Sequence, residues 1–137
     1  MRVRLTSSVI TALLLVVTHV PAAPAYNVPR NVPLQYAVEI SQRYKMSTPW
    51  TGDLSIKVNS DGIVNGQYRS NSIRPDPFHG TIVNVTGGLS GDYIQMSFGT
   101  GGRVSAKGTV SADKIEGTFY DTKNTRYDFL ARRVTSP

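Results

Sequence analysis

Residues 54–70 read Leu-Ser-Ile-Lys-Val-Asn-Ser-Asp-Gly-Ile-Val-Asn-Gly-Gln-Tyr-Arg-Ser, and this stretch decides the fold class. Leu54, Ile56 and Val58 alternate with Ser55 and Lys57, the period-2 pattern of a strand with one face in a core. Asn59-Ser60-Asp61-Gly62 follows, and its Asp-Gly pair tolerates the positive φ that tight hairpins demand. The return run sets Val64, Gly66 and Tyr68 on one face and Asn65, Gln67 and Arg69 on the other. The stretch therefore predicts an antiparallel hairpin with an apolar inner face.

The same pattern continues to Val134. A loop from Asn71 to Pro77 holds two prolines, which cannot donate to a ladder. Thr81, Val83 and Val85 then alternate with Ile82 and Asn84, and Gly87-Gly88 reads as the turn that ends this run. Ile94, Met96 and Phe98 line one face of the next strand, and Gly99 to Gly102 turns the chain. Val104, Ala106, Gly108 and Val110 form another inner face, closed by Ser111 to Lys114. Ile115, Gly117 and Phe119 come next, Asp121 to Asn124 makes a turn, and Tyr127, Phe129 and Ala131 point inward from the last strand.

Upstream, Leu34 to Tyr44 supplies an eighth element. Tyr36, Val38 and Ile40 alternate as in a strand, although Leu34, Ala37, Val38 and Ser41 would also line a helix face; the strand reading is preferred and the helix stays open. Short connections favour pairing between sequence neighbours. The expected fold is all-β, an antiparallel meander of seven to eight strands, closed as a small β-barrel whose interior is filled by side chains or holds one small ligand. Val64-Asn65-Gly66-Gln67-Tyr68 and Ile115-Glu116-Gly117-Thr118-Phe119 share an apolar-x-Gly-x-aromatic repeat, echoed in Val104 to Gly108, and glycines at these inward positions let a sheet curl.

The first 25 residues have a different character. Arg2 and Arg4 precede an uncharged apolar stretch from Leu5 to Val20, and Ala23 and Ala25 supply the small-x-small site of a cleaved export signal. The stretch is short and diluted by Thr and Ser, which argues against a retained span. The domain reading is residues 1–25 as signal peptide, 26–34 as an extended segment and 35–137 as one barrel domain, secreted or periplasmic and not membrane-spanning after cleavage. The chain has no cysteine, so its core alone must hold it. Removing Arg2 and Arg4 takes the formal charge from +6 to +4. The cations are scattered, unlike the clustered face of a nucleic-acid binder, so no nucleic-acid partner is expected. A lipid-facing barrel is disfavoured because the outward residues are polar.

Catalytic signals are sparse. His79 is the single histidine past the leader, and Asp76-x-x-His79 offers two ligands at most, so no metal and no cofactor are expected. Most acids fall at turns, where Asp bonds to the backbone; Glu39, Glu116 and Asp128 lie mid-strand, and an enzyme using Glu39 or Asp128 would need them in one buried cleft. Gly87-Gly88 and Gly99-x-Gly101-Gly102 precede no helix that could cradle phosphate. No catalytic residue is assigned.

Trp50-Thr51-Gly52-Asp53-Leu54, Gly62-x-x-x-Gly66-x-Tyr68-x-Ser70 and Pro77-Phe78-His79-Gly80-Thr81 resemble, in order and spacing, the first half of the avidin and streptavidin family. The resemblance implies an eight-stranded meander barrel with a ligand mouth, and makes Tyr68 and Ser70 correspond to polar biotin contacts. The chain departs from that family in having Trp50 as its single tryptophan, with Met96 and Phe119 near positions where the family has tryptophans, and in a shortened segment before Leu54. The expected function is a non-catalytic binding module taking a small ligand or peptide at a mouth near Trp50, Tyr68, Ser70 and Met96. The alternative is a partner or anionic surface polymer bound through Arg69, Arg103, Lys107 and Arg126. Oligomeric state is left open.

Overall fold

The computed structural model describes residues 26–42, 48–71, 81–99 and 103–134. The leader, the Asp76/His79 pair, Phe78 and the Gly101-Gly102 pair lie outside those residues. Eight strands run in chain order: β1 Leu34–Ser41, β2 Trp50–Val58, β3 Ile63–Ser70, β4 Ile82–Ser90, β5 Tyr93–Phe98, β6 Ser105–Val110, β7 Lys114–Tyr120 and β8 Arg126–Arg133. Each pairs antiparallel with its sequence neighbour, and β1 also pairs with β8, so the sheet closes into a meander barrel. Tyr36 sits opposite Leu54 on one side and Arg133 on the other. The strand reading of the element from Leu34 is therefore correct, and β1 begins at Leu34.

Alternation fills the interior. Leu34, Tyr36, Val38 and Ile40 from β1, Leu54, Ile56 and Val58 from β2, and Val64 and Tyr68 from β3 are all buried. Val85, Ile94, Met96, Phe98, Ala106, Val110, Ile115, Phe119, Phe129 and Ala131 complete the core. Each such aliphatic or aromatic side chain contributes about 1.5–3 kcal/mol on burial, and no disulfide supplements them.

Gly87-Gly88 is not a turn: both residues lie within β4, which runs on to Ser90. Leu89 keeps the inward register, opposite Ile94, and the chain reverses at Gly91-Asp92, where Gly91 takes φ 63°. Gly87 faces inward where β4 presses against β5, and a Cβ there would fall on the Gln95 carbonyl oxygen. The repeat glycines do the same: a Cβ on Gly66 would strike the Ser55 carbonyl, and one on Gly117 the Lys107 carbonyl. These are the bends by which the sheet closes on itself.

The two ends of the barrel are built differently. At the lower end the strands are joined by residues 59–62, 91–92 and 111–113. Gly62 takes φ 84° in the first of these, and the Asn59 side chain accepts from the Asp61 and Ile63 amides, both at 2.9 Å. The segment before β1 closes against this end. Asn31, at φ 60°, donates its amide to the Val58 carbonyl at 2.6 Å, Arg30 donates to the Asn59 carbonyl at 3.2 Å, and Val28 is 6% exposed within the core. Residues 26–33 are thus part of the barrel's packing and not a free extension. The upper end is joined by residues 42–49, 71–81, 99–104 and 121–125.

Candidate functional site

The inward positions near the upper end are aromatic. Tyr68, Phe98, Phe119 and Phe129 come from β3, β5, β7 and β8, and none is more than 3% exposed. Tyr68 meets Phe98 edge-on at 5.5 Å, Phe98 meets Phe119 at 5.8 Å and Phe129 at 6.5 Å, and Phe119 stacks on Phe129 at 6.5 Å. Edge-to-face and offset pairs of this kind add about 0.5–1.5 kcal/mol each beyond burial. The rings bridge the lumen from one wall to the other and make a solid floor. The Tyr68 hydroxyl rests against Gly52, where a Cβ would overlap it.

Above this floor three inward side chains are half-buried: Trp50 at the start of β2, Val83 on β4 and Tyr127 on β8. Trp50 packs on Tyr127 with centroids 4.8 Å apart and planes tilted by 41°, and Tyr127 in turn meets Phe119 at 5.9 Å. Ser70 ends β3 opposite Gly52, and its side chain is buried, as is the Tyr68 hydroxyl. Its amide donates to the Thr81 carbonyl at 3.4 Å, while the next amide, that of Asn71, donates to the Thr51 carbonyl at 2.8 Å. Trp50, Ser70, Val83 and Tyr127 therefore form one arc of rim, contributed by β2, β3, β4 and β8.

Tyr127 is fixed from outside the lumen. Its hydroxyl donates to an Asp121 carboxylate oxygen at 2.9 Å, and the Lys123 and Thr125 amides donate to the other oxygen, each at 2.9 Å. Burial alone would raise the Asp121 carboxyl, but the hydrogen bonds from Thr125, Tyr127 and Lys123 outweigh it and hold the group below its ordinary range. Burial, with the hydrogen bond and charge of Asp121, pushes the Tyr127 phenol up to about 12. The hydrogen bond to the turn carboxylate thus fixes the Tyr127 ring against Trp50.

No family model matches the chain, and no curated protein is significantly similar to it.

Of the four expected site residues, Trp50, Tyr68 and Ser70 gather at the upper end, as rim, floor and buried polar point. Met96 does not reach the rim: it lies two residues deeper than Phe98 on β5, opposite Gly87 and Ala106, and is 2% exposed. Depth in a barrel follows from strand stagger, which local alternation does not encode. Tyr127 and Val83 were read as inward or alternating but not as rim, because the partner of Trp50 lies across the closing seam, far away in sequence.

The mid-strand acids converge, but on the outside. Glu39 and Glu116 both stand opposite Leu130, and Asp128 stands opposite Ser41 and Thr118; with Gly117 and Phe129 they line an open outer groove of about 360 Å³. This is not the buried cleft that acid-base work would require; among the described residues no carboxylate is buried. Nor do described residues form a metal-ligating cluster. The expected basic face also divides. Arg103, Lys107 and Arg126 belong to the β6–β8 side, whereas Arg69 lies on β3, opposite Asp53 and Ile82.

Proposed function

We propose that the protein is an exported, non-catalytic binding module that takes a small ligand at the upper mouth of its barrel. The observation that carries this reading is the half-buried arc of Trp50, Val83 and Tyr127 around the buried hydroxyl residue Ser70, above a sealed aromatic floor. Small-ligand sites are concave and mostly apolar, with a few placed polar groups. The floor limits the ligand to a shallow seat, so an apolar ring or short chain with one hydrogen-bonding end suits it better than a long one. The Asp121–Tyr127 bond orders one wall in advance, which lowers the entropy that a ligand must offset.

The single tryptophan stands in this rim, so its emission reports on the site alone. Native mass spectrometry of protein purified from its own host should show a mass above that of the empty chain, lost on Trp50→Ala together with Tyr127→Ala. Trp50 emission should shift when the released compound is added back. An empty mass under mild conditions, with unchanged emission on adding extract, would rule the reading out. Biotin is the most demanding version, because Met96 and Phe119 are buried near where the resembling family has tryptophans; retention on biotin-agarose that free biotin competes away would support it, and no retention at micromolar protein would remove it.

A further inference from the structure

Closure of the barrel sorts the outer side chains by charge. β4 turns Asn84, Thr86, Gly88 and Ser90 outward and β5 turns Tyr93, Gln95 and Ser97 outward, none of them charged. Asn65, Thr86, Ser97 and Ser105 are successive partners across β3 to β6, as are Ile63, Gly88 and Gln95 across β3 to β5, so the uncharged face is continuous. Three charges border it: Arg69 near the end of β3, Asp92 in the β4–β5 turn, and Lys107 on β6, whose ammonium lies over the Tyr120 ring of β7, 5.6 Å from its centroid. The opposite side presents Glu39, Asp53, Glu116, Arg126 and Asp128. The uncharged face is also where apolar side chains stand in solvent: Ile63 is 49% exposed, Ile82 51% and Tyr93 40%. With strands about 4.8 Å apart and a rise of about 3.3 Å per residue, Ile63 and Tyr93 are about 12 Å apart with Gly88 between them. A Cβ on Gly88 would meet only the Gly62 carbonyl oxygen, at 3.9 Å. The position is therefore a hollow between two apolar posts, and it opens into a groove of about 340 Å³ along Gln95, Ser97 and Ser105.

We infer that two copies of this chain pair through the β3–β6 face about a two-fold axis, separately from the ligand mouth. The centre of a protein–protein contact is depleted of charge and supplied with aromatic and apolar side chains, and this side of the barrel has both properties. A two-fold axis sets one patch against itself, so the patch must be self-complementary. Here each copy's Ile63 enters the hollow over the other's Gly88, and the Asn, Gln, Ser and Thr side chains, which both donate and accept, satisfy one another. On the opposite side the same operation would strip water from carboxylates and guanidinium groups. A phosphate polymer finds no row of cations on this face, and an extended peptide finds no free strand edge on a closed barrel. Four strands over about seven residues cover roughly 440 Å² in projection, below the ~800 Å² that each partner gives a standard stable interface. The pair is accordingly a reversible one, formed at micromolar protein.

The test is sedimentation velocity of the purified protein over a concentration series that reaches the high micromolar range. The protein should pass from monomer to dimer and stop there. Gly88→Arg fills the hollow and sets two like charges against each other, and it should weaken pairing at least about a hundredfold. Because that position has room for a side chain, its urea midpoint, measured where the protein is monomeric, should match the parent. Ile63→Lys, at an exposed position, should act in the same direction. Ala37→Arg adds the same charge to the exposed outer side of β1 and should leave pairing unchanged. Added salt screens the repulsion between two net-positive chains, so pairing should hold or strengthen. A monomer at every concentration would overturn the inference, as would equal losses in Gly88→Arg and Ala37→Arg, or pairing that salt dissolves. A monomer that a neutral glycan resin retains, and that Gly88→Arg releases, would give the face a different occupant and overturn it too. Ligand occupancy at Trp50 should be the same in all these variants, which keeps the result distinct from the mouth reading.

Discussion

The two ends of this barrel solve opposite problems with the same strands. At the lower end, connections of two to four residues leave little chain to order, glycine and asparagine take the left-handed conformations, and the segment carrying Val28 fills the opening. At the upper end, where the strands are joined by connections of five to eleven residues, Trp50, Val83 and Tyr127 are half-buried. Long connections order late and lose more entropy on closing, so cohesion concentrates below. Exposed aromatic surface, which a stable fold would otherwise bury, is tolerated above. The difference teaches that a small core without disulfides can carry a half-buried aromatic rim when its other end is closed tightly.

The sharpest way to break this comparison is to remove a bend from the wall. Gly87→Ala sets a methyl group on the Gln95 carbonyl, and the neighbour is backbone that cannot swing away. It should cost about 3 kcal/mol, read as a drop in the urea midpoint, and a near-neutral result would mean that the sheet does not close as described. Val28→Ala comes next. Removing two buried carbons at about 0.8 kcal/mol each should cost about 1.6 kcal/mol, while an unchanged midpoint would detach residues 26–33 from the lower end. By contrast, Trp50→Ala should cost only about 1 kcal/mol, the worth of a half-buried aromatic pair; a loss as large as that of Gly87→Ala would make the rim structural.

The Asp121–Tyr127 pair sharpens the comparison by pH. The Tyr127 phenol is raised in the folded state, so its contribution is complete below pH 10 and should be lost as pH rises from 10 to about 12. The Asp121 carboxyl is lowered, so its contribution is present above the ordinary carboxylate range and lost as pH falls through its depressed folded value. Ultraviolet titration should find the buried Tyr36 phenol and the Tyr127 phenol both ionising late, and Asp121→Asn should lower the second of them only. A titration curve unchanged by this substitution would contradict the part of the Tyr127 shift that comes from Asp121.

Much of this was legible in the chain, for reasons that also explain what was not. The hairpin from Leu54 to Tyr68 and the inner faces through Ala131 follow from period-2 alternation, which one buried sheet face enforces. The run from Leu34 satisfied helix and strand periods alike, and only pairing with both β2 and β8 decided it. Gly87-Gly88 misled because glycine serves a turn and a strand bend equally, and the difference lies in whether Gln95 presses on it. Trp50 and Ser70 were brought together by the family resemblance, and the structure places both at the upper end, on β2 and β3. Met96 was misplaced, since alternation gives the face and not the depth. Val28 gave no signal at all: one apolar residue in an extended segment has no period. Arg69 was grouped with cations that closure places on another side.

The measurement that tests the asymmetry most directly is native-state hydrogen exchange at the hydrogen-bonded amides that close each end. Asn31, Leu89, Val110 and Arg133 donate to backbone carbonyls below, and Ser70, Asn71, Gly99 and Asp121 donate above. The lower set should exchange with protection near that of global unfolding, and the upper set on the order of tenfold faster or more, as befits a region that opens locally. Equal protection at the two ends, or faster exchange at Asn31 and Leu89 than at Ser70 and Gly99, would contradict a barrel closed below and receptive above.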